Sequence, residues 1–317
     1  MTGWDVAGVV ERAAADGSGP PAGTRVAGLA GTGAWAQLAA VPASRLAAIP
    51  DEVSDAQGAT LPTAGMTALR SLEIAGLLLG KRMLVTGATG GVGRIAVQLG
   101  HASGALVTAL VRDIAASAGR LRRLGAAAVT EQPADDFDFI LDAVGGTIFG
   151  LAIGHLAPRG VLVNIGTQDD EETVTFQARR FDRAFGARIY TLNLPSELAS
   201  HDSAASDLAR LCALAAAGRL DGQVEFEGSW RQPGPAIDSL LHRRIGGKAV
   251  LHVDLSAKLV GRYLGVVGED DRAVGQVGAV DGLELADGRG LAVGLVSSFV
   301  FEDEQVDEFR GVVRLLP

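Results

Sequence analysis

The segment Met83-Leu84-Val85-Thr86-Gly87-Ala88-Thr89-Gly90-Gly91-Val92-Gly93 carries the clearest chemistry in the chain: an apolar strand, a glycine turn and the start of a helix. A dinucleotide pyrophosphate needs that order. Missing side chains let the backbone approach it, first-turn amides lack intrahelical partners, and the helix dipole favours negative charge. Gly87, Ala88, Gly90, Gly91, Val92 and Gly93 are therefore candidate cofactor-binding residues. Ala88, Gly90 and Gly93 fill the three positions of G-x-G-x-x-G, with alanine replacing the first glycine. The plainer reading of the same residues is a turn that packs helix on sheet without a ligand. The second strand ends at Ala109-Leu110-Val111-Arg112-Asp113. A basic residue there suits a 2′-phosphate and an acidic one a ribose diol. Arg112 comes first, so NADP is expected, while Asp113 keeps NAD open.

The turn has chemical meaning only if strands and helices alternate around it. Arg82 to Thr86, Ala105 to Val111, Ala127 to Val129, Phe137 to Leu141, Gly160 to Ile165 and Arg188 to Leu192 read as short apolar strands, with helical spacing over Gly93 to Ala102 and Ile114 to Leu124. This rhythm predicts an α/β fold with a doubly wound parallel sheet, the Rossmann arrangement. Before it, Val6 to Glu11, Arg25 to Leu29 and Trp35 to Val41 read as strands of a β-rich unit broken by glycine and proline turns. Helices over Asp207 to Ala217 and Ala236 to Arg244 lead to a strand at Lys248 to Val253.

Residues 1 to 254 resemble the medium-chain dehydrogenase/reductase superfamily, in its zinc-independent quinone-oxidoreductase branch. Gly3-Trp4-Asp5-Val6-Ala7-Gly8-Val9-Val10 resembles the family's G-x-D-x-x-G-x-V segment, Gly23 to Gly28 its G-D-R-V-x-G turn and Leu61 to Ala68 its L-P-x-x-x-x-T-A helix. Gly87 to Gly93 resembles its G-A-x-G-G-V-G turn, Asp142 to Gly146 its D-x-V-G-G, and Gly247 to Leu251 its closing G-K-x-V-L strand. Short-chain dehydrogenases share the glycine text but use a tyrosine followed four residues on by lysine. Here Tyr190 is followed by Leu194 and Tyr263 by Val267.

The resemblance implies a GroES-like catalytic domain at 1–59 and 199–254, a dinucleotide-binding domain at 60–198, and a small β-rich extension at 255–317. It also implies hydride transfer from NADPH to a quinone or an α,β-unsaturated carbonyl, with catalytic residues unassigned and no metal. Trp4 stands where zinc-dependent members carry a ligating histidine, and the five histidines show no metal-ligand spacing. Thr67, at the T-A position, becomes a cofactor-pocket hydroxyl or else a buried structural one. Gly166 and Thr167 end a strand that passes the nicotinamide in this family. Asp142 reads as a turn former. A homodimer is expected by resemblance.

Family members carry several dozen residues before the G-x-D segment. A misplaced start, a fragment, or replacement of the missing strands by the 255–317 stretch each account for the difference, the last suggested by the apolar run Leu291 to Phe301. Gly282 to Leu285 and Leu291 onward read as a hairpin around Ala286-Asp287-Gly288-Arg289-Gly290. Against the enzyme reading stands an impaired NADP-binding protein serving as a redox sensor or partner subunit.

Composition narrows the alternatives. Of 317 residues 48% are hydrophobic and 21% charged, which suits a globular chain with a sizeable core. A net charge of −9 and only 5% aromatic residues argue against a nucleic-acid partner. Residues 255–317 hold 11 acidic and 6 basic residues, so more than half the excess charge sits there. One cysteine, Cys212, excludes an intrachain disulfide. No apolar stretch of about 18 residues suggests a membrane span, and the first residues do not read as a signal peptide; the cytoplasm is the expected location.

Overall fold

The computed structural model describes residues 3–167, 171–201 and 203–253, together with the backbone of 291–295 and 312–314. The chain opens with β1 (Asp5–Arg12), β2 (Arg25–Leu29), β3 (Leu38–Ala40) and β4 (Leu46–Ala48). Next come α1 (Asp55–Thr60), capped by Ser54 Oγ accepting the Gln57 N–H at 3.1 Å, and α2 (Pro62–Ala75). Proline opens α2 in its first turn, where a missing N–H breaks no intrahelical bond.

The alternating region follows as β5 (Arg82–Val85), α3 (Gly91–Ala102), β6 (Leu106–Leu110), α4 (Ile114–Arg123), β7 (Ala128–Thr130) and β8 (Phe137–Asp142). It continues through α5 (Gly146–Ile153), β9 (Leu156–Asn164), α6 (Ala178–Phe181), β10 (Arg188–Thr191) and α7 (Leu194–Ser200). The remaining elements are α8 (Ala204–Ala216), β11 (Val224–Ser229), α9 (Gly234–Leu241), β12 (Lys248–Val253), β13 (Leu291–Leu295) and β14 (Val312–Arg314).

Two compact units result, one of residues 1–63, 202–216 and 224–317, the other of 64–201 and 217–223. The second unit holds a six-stranded sheet in the order β10-β9-β8-β5-β6-β7, every neighbouring pair parallel. Winding runs outward in one direction from β5 and in the other from β8, so the sheet is doubly wound and its switch point lies between these strands. β5 and β8 are buried almost throughout, as central strands covered on both faces are. Leu84, Ile140 and Leu162 come from three neighbouring strands and share one core with Phe137 and Ile153.

The first unit contains a five-stranded sheet, β3-β14-β1-β2-β4, and a three-stranded one, β11-β12-β13. β14 lies between β1 and β3, with Val10 opposite Val313 and Ala39 opposite Val313 on the other side. β13 runs antiparallel to β12, from Ala249 opposite Leu295 to Val253 opposite Leu291. Five residues of the apolar run beginning at Leu291 thus form β13 on β12, whereas β14 is the strand beside β1; the rest of that run, and the hairpin expected around 282–290, lie outside the described residues. The strand expected from Trp35 shortens to Leu38–Ala40. Ala34 N–H bonds to the Gly3 carbonyl at 3.0 Å, and the Trp35 ring packs against two separate hydrophobic clusters, so this stretch leaves the ladder.

A buried ion pair sits in this unit. Asp5 is fully buried at the start of β1, and its Oδ1 accepts both the backbone N–H (2.9 Å) and the hydroxyl of Thr63. Its Oδ2 lies 3.5 Å from Nζ of Lys248, itself buried at the start of β12. Burial pushes the Asp5 carboxyl above its ordinary range and the Lys248 ammonium below its own, each partly offset by the other's charge. Cys212 is buried on α8, where desolvation raises its thiol to about 11 and removes it as a nucleophile near neutral pH.

Candidate functional site

In a parallel sheet every strand delivers its carboxyl end to the same edge. The loops after β5, β6, β8 and β9 gather there, and the cofactor candidates named from the sequence lie in these loops or in the first turn of α3, all but one. Thr67 is the exception: it lies buried on α2, where its carbonyl accepts the Ser71 hydroxyl at 2.7 Å.

The turn after β5 is closed by the Gly90 N–H on the Gly87 carbonyl at 2.9 Å, and α3 starts behind it. The left-handed residue of the turn is Gly87, at φ +60, while Ala88 is fully buried. A Cβ on Gly93 would stand 2.3 Å from the Gly87 oxygen, which no real Cβ does, so the fold itself requires glycine there. A Cβ on Gly90 would find only that same oxygen, at 3.4 Å. Gly90 is the N-cap of α3, and no side chain caps the helix. The amides of its first turn are thus available to an anion, and the space a side chain would take at Gly90 is open. These residues fit a dinucleotide pyrophosphate.

Beyond the turn, Arg94 is buried on α3, where desolvation lowers its pKa to about 10 against the opposing charge of Asp221. It remains a cation at neutral pH. Gln98 holds the loop that carries Asp221, donating to its carbonyl at 3.0 Å and accepting its N–H at 2.8 Å.

After β6, Arg112 and Asp113 are both exposed. Asp113 caps α4, its Oδ1 accepting the Ala116 N–H at 3.0 Å, and Glu131 accepts the Ile114 N–H at 3.1 Å. The acidic groups at this strand end are thereby engaged with the start of α4.

Sequence reasoning undervalued Asp142. The turn it was expected to form exists: Oδ2 accepts the Gly145 N–H at 3.1 Å. The carboxylate also accepts the Thr86 hydroxyl on Oδ1 at 2.5 Å and Asn164 Nδ2 at 2.9 Å, all with Asp142 fully buried. Thr86 Oγ in turn accepts the Ala143 N–H at 3.1 Å, and Asn164 Nδ2 also reaches the Gly166 carbonyl at 3.0 Å. One carboxylate therefore ties together the exits of β5, β8 and β9. The signal in the sequence was an acid directly following the apolar run of β8. Gly87 is drawn into the same cluster, since a Cβ there would lie 3.3 Å from Ala143 and Val144. Asp142→Asn, which keeps the shape but turns an acceptor into a donor, should lower stability by about 1–3 kcal/mol. Chemical unfolding checks this; an unchanged midpoint would show that the three exits hold without the anion.

Among the described residues no three of His, Cys, Asp and Glu gather into a metal-binding group, and no helix is long and apolar enough to cross a membrane.

Residues 120–251 match the zinc-binding dehydrogenase family. The chain is similar to the quinone oxidoreductase of Pseudomonas syringae pv. Tomato DC3000, with 25% identity, a TM-score of 0.63, and 77% of this chain and 79% of that one covered. These matches support the medium-chain dehydrogenase/reductase superfamily for this chain. The fold is also that of mycobacterial Rv1454c complexed with NADPH, at 24% identity and a TM-score of 0.69, covering 78% of this chain and 81% of that one. A curated relative, the spectinabilin polyketide synthase system protein NorB of Streptomyces orinoci, is 31% identical over 260 residues, 78% of this chain and 12% of its own length. The chain spans only 10–13% of the first long curated relatives that it matches.

Proposed function

We propose that this chain is a zinc-independent oxidoreductase that binds NADPH and reduces a quinone or an α,β-unsaturated carbonyl. The observation that carries the reading is the uncapped N-terminus of α3, fronted by a turn in which Gly93 cannot bear a Cβ and Gly90 leaves room for a ligand. Gly87 to Gly93 would hold the pyrophosphate through backbone amides. Arg112 would meet the 2′-phosphate, because Asp113 is occupied in capping α4. When bound, NADPH supplies the hydride.

A substrate already polarised by conjugation needs no Lewis acid, which agrees with Trp4 at the position of a zinc-ligating histidine. The similarity to a quinone oxidoreductase and to a polyketide synthase protein supports this acceptor class. Gly166 and Thr167, at the exit of β9, would line the nicotinamide side. Thr67 would supply a pocket hydroxyl. The exposed edge strand β10 pairs only with β9 among the described residues and would join a second copy in a homodimer.

Titrating the chain with NADPH and with NADH, then following NADPH oxidation with a panel of quinones and enals, tests the reading. NADPH should bind more tightly by about tenfold, and Arg112→Glu should remove or invert that preference. Tight binding with no turnover across the panel would replace the enzyme by the second reading, a cofactor-binding sensor or partner subunit.

A further inference from the structure

Part of the chain after β9 lies along α5, and the contacts that hold it are separate from the glycine turn. Gly146 and Gly150 stand four residues apart on α5 and so share one helix face. A Cβ on Gly146 would come within 2.0 Å of the Glu172 carboxyl carbon, and one on Gly150 within 2.1 Å of the Thr175 carbonyl oxygen. That face is bare because residues 172–175 lie against it.

The contact has a charge logic as well as a shape. Glu172 Oε1 accepts the Thr147 N–H at 3.0 Å. Gly145, the N-cap of α5, offers no side chain, and the first turn holds no acid. The anion that a helix N-terminus favours is therefore supplied from a later part of the chain. Gly166 and Thr167 lie between this contact and β9. Thr167 packs on Gly145, where a Cβ would be 2.4 Å from its Oγ1, and Asn164 holds the Gly166 carbonyl at 3.0 Å.

We propose that Glu172 is a positioning residue: its carboxylate, seated on the N-terminus of α5, holds the chain after β9 and thereby fixes Gly166 and Thr167 at the cofactor edge. This rests on the reading above that these two residues line the nicotinamide side. Glu172 touches no reacting atom; it acts through the N-terminus of α5, on which Thr167 also packs.

Hydrogen–deuterium exchange on the full chain, paired with NADPH titration, tests it with Glu172→Ala and Glu172→Gln. In the alanine variant, exchange over 145–150 and 171–177 should quicken about threefold to tenfold, the loss expected for one charged helix-terminus contact. Peptides of β5 and β8 should exchange as in the parent, and the Kd for NADPH should rise by about threefold or more. Glutamine keeps the acceptor oxygen without the charge and should restore part of the protection. Unchanged exchange over both segments in the alanine variant overturns the anchor. Faster exchange with unaltered NADPH affinity overturns its link to the cofactor edge. A parent chain that binds no NADPH overturns the cofactor reading and that link together, while exchange at 145–150 still decides whether Glu172 holds the segment.

Discussion

Gly90→Ala is expected to weaken cofactor binding with little loss of stability, whereas Gly93→Ala is expected to lower both. The two variants add the same methyl group within one turn. At Gly93 the new atom would fall 2.3 Å from the Gly87 oxygen and 2.8 Å from the Ala88 Cα, both backbone, so the turn itself must shift. Overpacking of that kind costs about 1–3 kcal/mol. At Gly90 the methyl meets protein only at 3.4 Å, with φ at −80, an ordinary value for alanine. Stability should fall by about 1 kcal/mol or less, because alanine is a poorer N-cap than glycine. The methyl would instead stand in front of the first-turn amides of α3. NADPH affinity should therefore drop by about tenfold to a hundredfold, as when a group held at contact distance is pushed away. Thermal unfolding and NADPH titration on both variants check this. Equal affinity in Gly90→Ala and the parent would mean that the turn packs helix on sheet and holds no pyrophosphate.

Asp5→Ala should be the most destabilising single substitution in the first unit. It removes the partner of Lys248, whose side chain is only 3% exposed, and leaves the Thr63 N–H and hydroxyl without their acceptor. Breaking a buried pair from one side costs about 3–5 kcal/mol, because an uncompensated charge stays behind. Lys248→Met in the same background should recover a good part of the loss, since it removes that charge while keeping most of the apolar stem. Denaturant unfolding of the single and double variants measures the coupling directly. Additive effects would mean that each residue is tolerated alone, and the pair would then be no pin between β1 and β12.

These substitutions also mark where sequence reading succeeds. The glycine turn, its strand and its helix occupy adjacent residues, so local rules of backbone freedom and apolar spacing are enough to place them. The alternation of apolar strands with helical spacing likewise implies a parallel sheet before any contact is known, and it emerges with six strands in doubly wound order. Arg112 at the end of β6 follows from the same arithmetic. Asp142 was visible as an acid after an apolar strand, but its importance was not, because its partners come from other strand exits. Thr67 shows the converse: a motif position can be named from the text, yet only coordinates say that it lies buried within α2.

What the sequence by itself determined, then, is the alternating strands and helices of the parallel sheet and the glycine turn after its first strand, carried by neighbours in the chain. Tertiary structure alone decided which distant residues meet. Thr86 and Asp142 are 56 residues apart, Thr147 and Glu172 are 25 apart, and Asp5 and Lys248 are 243 apart. The strand pairings of 291–295 and 312–314 belong to the same class. A polar side chain carries the same letter whether it is solvated or buried against a partner. Its role is set by desolvation and by the group that compensates it, and both exist only once the chain has folded.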